Sequence, residues 1–135
     1  MVTGAALAPD LDLLGRFWDG GNHHQGATHS FGGALLVAAL VWALSDRHLG
    51  TLAGIGWSSH VLLDCLGRDT SPPIGLMALW PLDTGYHKSQ LVVFLDVGRS
   101  MTWDTLWRNA LAVAWECVLL LPILYIVERA RSRSR

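Results

Sequence analysis

The sequence predicts an all-α fold. It reads as a small helical membrane protein with about three membrane-associated helices and a polar, metal-site-like cluster at one end. Three observations carry that prediction. The 135 residues are 51% hydrophobic and only 16% charged, with mean hydropathy +0.33, whereas a soluble domain carries about a quarter charged residues. Apolar runs fall at 31–44, 49–66 and 110–127. Four of the ten basic residues crowd into positions 129–135, directly after the last run, as on the cytoplasmic flank of a membrane helix. The length fits a single domain, 1–135, with 129–135 a basic tail. The composition excludes disorder, which needs low hydrophobicity and high charge. A formal net charge of −1 leaves no global basic field, so direct nucleic-acid binding is not expected. Cys65 and Cys117 lie far apart in apolar runs and make neither a disulfide framework nor a zinc C-x-x-C motif.

The elements follow in order. Residues 1–8 (MVTGAALA) read as the end of a helix that Pro9 stops, with no basic stretch of the kind that opens a signal peptide. Residues 10–28 are polar and loop-like, broken by Gly20, Gly21 and Gly26. Ser30 is placed to cap a helix through FGGALLVAALVWAL to about Leu44. At 1.5 Å per residue those 14 residues span roughly 21 Å, short of a bilayer core of roughly 30 Å. Such a helix must tilt, thin the membrane or serve as a buried core helix. Ser45–His48 reads as a tight polar turn. The second run, Leu49–Leu66, carries Gly50, Ala53 and Gly54 as a small-residue face that lets helices approach closely. A long connection, 67–104, holds Pro72-Pro73, Pro81 and the short apolar run Leu91–Leu95, a strand-like or interfacial segment. Trp103 and Trp107 flank the third run as membrane-interface aromatics do.

The chemistry-bearing residues concentrate in two places. The N-terminal segment holds Asp10, Asp12, His23, His24 and His29, and the second run holds His60 and Asp64. Four residues apart on a helix is one face, and an imidazole and a carboxylate at that spacing can reach one divalent ion. A His/Asp pair of this kind is more often a plain hydrogen bond, and Asp10 and Asp12 after a proline fit turn or cap roles. Location favours the metal reading. A charge within an apolar helix needs partners, and the nearby supply is the Asp/His-rich segment. His23 reads as a solvated loop residue and His48 as an ordinary turn residue. Thr28 and Ser30 read as caps rather than nucleophiles. Glu116, in the third run, reads as a buried carboxylate.

Three single crossings with the arginine tail in the cytoplasm would bring these groups together. The start of run one, the end of run two and the segment with Asp10 and Asp12 would share the non-cytoplasmic side.

These motifs resemble a known family. Pro9–Asp12 (PDLD), His24–Ser30 (HQGATHS), His60-x-x-x-Asp64 and Leu79–Leu82 (LWPL) are similar, in order and spacing, to the predicted membrane-bound metal-dependent hydrolases. That family is also described as LexA-binding, inner-membrane-associated hydrolases. The resemblance covers about residues 4–82. It is distantly similar to the zinc-dependent phospholipase C and P1 nuclease group, which also holds zinc through H-x-x-x-D. It implies a bacterial inner-membrane, multi-pass protein and a divalent metal, zinc by its mixed donors, at Asp10, Asp12, His24, His29, His60 and Asp64. Asp10 or Asp12 would serve as catalytic base. Membrane lipid would be the surroundings, and a phosphoester or lipid-like molecule the substrate. Two departures stand out. Gln25 replaces the family's Arg in the H-R-G motif, where an anionic oxygen or a carboxylate would be held. The family's longer N-terminal helix, with an early histidine before PDxD, precedes the point where this sequence starts; that implies a misassigned start or one ligand fewer.

Two other readings remain open on the residues alone. One is a non-catalytic inner-membrane binding or scaffold protein that uses the same groups as a structural metal site or polar network. The other is a soluble helical zinc hydrolase with the apolar runs as its core.

Overall fold

The computed structural model describes residues 2–15, 25–70, 72–98 and 100–133. Among them the secondary structure is helical: α1 (Val2–Leu7), α2 (Phe31–Leu44), α3 (Arg47–Cys65) and α4 (Trp103–Arg133), with 3-10 turns at Ala8–Gly15 and Ala27–His29. The chain divides into two units, 1–91 and 92–135.

In the first unit, α1 gives way to the 3-10 turn at Pro9, whose ring cannot donate to a helix. The Ser30 hydroxyl accepts from the Gly33 N–H at 2.8 Å and starts α2 where the sequence predicts. Asp46 does the same for α3, accepting from the Leu49 N–H at 2.9 Å. The cap brings Arg47 and His48 into the helix, so the interhelical turn is shorter than the predicted 45–48, and α3 begins two residues before the predicted Leu49.

Helix α3 packs against both α1 and α2. Its small-residue face is the contact with α2. A Cβ built on Gly50 would lie 2.7 Å from the Ala38 carbonyl oxygen, and one on Gly54 2.9 Å from the Ala38 Cβ. Ala53 and Val61 on α3 and Ala34 on α2 form the small buried core here. The two helices run antiparallel through a two-residue turn, so the start of α2 meets the end of α3.

The segment after α3 is stitched back to the start of α2. The Phe31 N–H donates to the Ala78 carbonyl at 3.0 Å, and the Met77 N–H donates to the Gln25 carbonyl at 3.0 Å. An isolated antiparallel bridge pairs Leu76 with His87. Gly32 lets the Trp80 carbonyl and the Pro81 ring lie directly on the α2 backbone.

The predicted strand-like segment 91–95 forms no strand; in the second unit the Val93 carbonyl accepts from the Trp115 indole at 2.8 Å. Gly98 and the Asn109 side chain exchange two hydrogen bonds, and Thr102 accepts from the Thr105 N–H at the head of α4. This helix is longer than the run 110–127. It takes in Trp103 and Trp107 at its start and the arginines through Arg133 at its end, so most of the predicted basic tail is its last turn. Cations there favour the helix dipole.

Gly50→Val would drive side-chain atoms into the Ala38 carbonyl and Trp42. It is expected to destabilise the first unit by about 1–3 kcal/mol, measured as a lowered midpoint of thermal unfolding in detergent.

Candidate metal centre

Three stretches of chain supply the site. The 3-10 turn after α1 carries Asp10 and Asp12, the short turn before α2 carries His29, and the last turns of α3 carry His60 and Asp64. Ser30 locks the middle stretch: its hydroxyl donates to the Ala27 carbonyl at 2.6 Å while capping α2. His29 and Ser30 are both fully buried.

Three ligand atoms form a near-equilateral triangle. His29 Nε2 and His60 Nε2 are 3.2 Å apart, and each lies 3.4 Å from Asp10 Oδ1. These residues make up a group able to hold a metal ion. A tetrahedral zinc with N and O ligands at about 2.0–2.1 Å has edges of about 3.3–3.4 Å, so the triangle has the size of one face of such a cage. Asp64 Oδ2 stands against the same histidine pair, 3.4 Å from His29 Nε2 and 3.2 Å from His60 Nε2. The chemistry of the set fits a cation. Two imidazole nitrogens and two carboxylate oxygens all present lone pairs at this range, and only a proton or a metal between them makes the arrangement favourable.

Asp12 stands apart from that triangle, on the other side of the His29 ring. Its Oδ2 lies 3.1 Å from His29 Nδ1 and accepts from the Thr28 hydroxyl at 2.7 Å. A carboxylate on Nδ1 keeps the proton there and leaves Nε2 as the lone-pair atom facing the cluster. Burial pushes the His29 pKa down, but the Asp10 hydrogen bond and the charges of Asp12, Asp64 and Asp10 outweigh it, and the net shift is upward. The same three carboxylates attract any cation. Asp12 is nearly buried at 7% exposure; the Asp10 and Asp64 side chains are partly exposed, at 39% and 28%, although the Asp64 Oδ2 beside the imidazoles is itself buried.

A family model described as YdjM inner membrane protein matches residues 1–133. The chain belongs to that family. Membership places it among inner membrane proteins; the match itself carries no activity. No curated protein and no solved structure matches the chain. Among the described residues of this family member, one helix, α4, is long and apolar enough to cross a membrane, while α2 is apolar but shorter.

Of the residues singled out in the sequence, Asp10, His29, His60 and Asp64 come together, and Asp12 joins them through the His29 ring. His24, like His23, lies outside the described residues. Gln25 takes a left-handed conformation, φ 68°. Oriented to donate, its amide nitrogen reaches the Gly75 carbonyl at 3.1 Å and Asp69 Oδ2 at 3.2 Å. The Gln25 side chain thus meets a carboxylate, that of Asp69. Sequence reasoning missed Trp57, whose indole donates to the Thr28 carbonyl at 2.7 Å. Its signal was spacing: Trp57, His60 and Asp64 share one helical face.

Ser30→Ala removes both the α2 cap and the tie to Ala27. It is expected to cost about 1–2 kcal/mol, read from chemical or thermal unfolding in detergent.

Proposed function

We propose that this chain is a membrane-bound metal-dependent hydrolase, with a divalent cation, zinc by its donor set, held by Asp10, His29 and His60. The observation that supports the reading is the triangle of 3.2, 3.4 and 3.4 Å between their ligand atoms. Three protein ligands with a further position beside them is the pattern of catalytic rather than structural zinc sites. When bound, such a cation would supply Lewis acidity to an ester or phosphoester and lower the pKa of a water molecule. The chain's own groups supply the rest. Asp12 holds the His29 tautomer from behind. Asp64, partly exposed beside both imidazoles, is the carboxylate placed to take and return a proton, a role the sequence had given to Asp10 or Asp12. Asp10, at 39% exposure, gives the centre an edge that a substrate from the solvent or the lipid surface can approach. The phosphoester class rests on the motif resemblance alone.

We further propose a multi-pass arrangement. In it α2 and the small-residue-packed α3 associate with the bilayer as a helix pair, and the span-length α4 crosses it.

One observation favours a second reading. Asp64 Oδ2 is as close to the two imidazoles as Asp10 Oδ1 is. If it fills the remaining position, the site is closed and structural, and the protein is a binding or scaffold component.

Metal content of detergent-purified protein, with turnover of a chromogenic phosphodiester, tests both. The wild type is expected to hold about one zinc equivalent and to turn over the ester. His60→Ala is expected to lose both, and Asp64→Ala to keep the metal but lose turnover. Loss of metal from Asp64→Ala as well, with an inert wild type, selects the closed structural site. A wild type without metal after growth in supplemented medium overturns both readings.

A further inference from the structure

We propose that Trp57 and Thr28 act as a positioning arm for the metal centre, an inference that rests on the metal reading above. His29 is the one imidazole of the triangle that does not ride on α3, and its ring must be set against His60 to within a few tenths of an ångström. Trp57, His60 and Asp64 sit at i, i+3 and i+7 on α3, within about 60° of one another around the helix axis. The Trp57 indole reaches off that face and donates to the Thr28 carbonyl at 2.7 Å. It therefore ties the backbone of the 3-10 turn to the helix that supplies the opposing ligands. An indole N–H can only donate, so the bond has one sense and one partner type.

Thr28 carries the restraint onward. Its hydroxyl donates to Asp12 Oδ2 at 2.7 Å and lies 3.2 Å from His29 Nδ1. With its proton committed to Asp12, the hydroxyl can only accept from the ring. Nδ1–H then faces two acceptors, Thr28 Oγ1 and Asp12 Oδ2, and Nε2 is left as the ligand nitrogen. The arm runs from α3 through Trp57 and Thr28 to Asp12 and His29, and returns to α3 at His60. It fixes both where the ring lies and which nitrogen it offers. The hydrogen bonds of both residues go to groups other than the three ligand atoms, so both act through His29.

The test compares wild type, Trp57→Phe and Thr28→Val in detergent. Zinc affinity is measured by chelator competition, and the visible absorption spectrum is taken at saturating cobalt(II). Both variants are expected to bind zinc about 10–100-fold more weakly. Their cobalt bands should be altered, and their helical circular dichroism unchanged. Trp42→Phe, an exposed tryptophan on α2, should match wild type. Variants that bind within twofold of a zinc-binding wild type overturn the arm and leave the metal reading standing. So do variants that lose stability but show wild-type cobalt bands. A wild type that binds no zinc removes the metal reading and the arm with it. Thr28→Val decides the matter alone should Trp57→Phe fail to fold.

Discussion

The antiparallel contact of α2 with α3 is the constraint on which the site depends. Gly50 and Gly54 let the α3 backbone come against Ala38 with no side chain between. Once the helices lie that close, the residues just before α2 must face the last turns of α3. That brings the buried His29 against His60 and Asp64. The polar cluster is therefore a consequence of small-residue packing some distance along the helix pair. The third ligand stretch follows from the packing of α1 on α3, which carries Pro9 and the acidic turn behind it to the same end.

Much of this was legible in residue types. Ser30 before an uncharged run is a cap signal, and the cap forms. Spacing alone gave His60 and Asp64 one face, and apolar surroundings gave them a need for partners. What spacing could not give was which side of an imidazole each carboxylate would take. Asp10 and Asp12 differ by two residues, and in a 3-10 turn that separates their directions. One meets Nε2 and the other Nδ1 of the same ring. Trp57 was hidden for a related reason. A tryptophan in an apolar helix reads as packing, and only the fold shows a backbone carbonyl within reach of its one donor. The extent of α4 was hidden differently. Arginine is a good helix former, and a basic last turn suits the helix dipole, so composition marks a change of environment there without marking a helix end.

Membrane placement rests on a different kind of surface. Along the later part of α4, Leu121, Ile123, Leu124, Ile126 and Val127 are between 57% and 65% exposed. Its 31 residues extend roughly 46 Å, more than a bilayer core. In water an apolar surface that large is a liability; it suits a helix of an inner-membrane family, long and apolar enough to cross a bilayer. The shorter α2 exposes Leu35, Leu36 and Leu40 in the same way, although its 14 residues cannot cross a full-thickness core upright.

The choice between a catalytic and a structural centre turns on Asp64. Structural zinc in proteins is typically held by four fixed ligands, thiolates prominent among them. Here the imidazoles and the Asp64 Oδ2 between them are buried or nearly so, and Asp10 is the most exposed member of the cluster. His29 is fixed by Asp12 behind it, Ser30 beside it and α3 across from it. Asp10 and Asp64, by contrast, keep a substantial exposed fraction. A centre rigid on its nitrogen side and partly exposed at Asp10 can hold an ion and still admit another ligand. That asymmetry favours a centre with an open position over a closed one. It also explains why Asp64, equidistant in kind from both imidazoles, is the residue whose role separates the two.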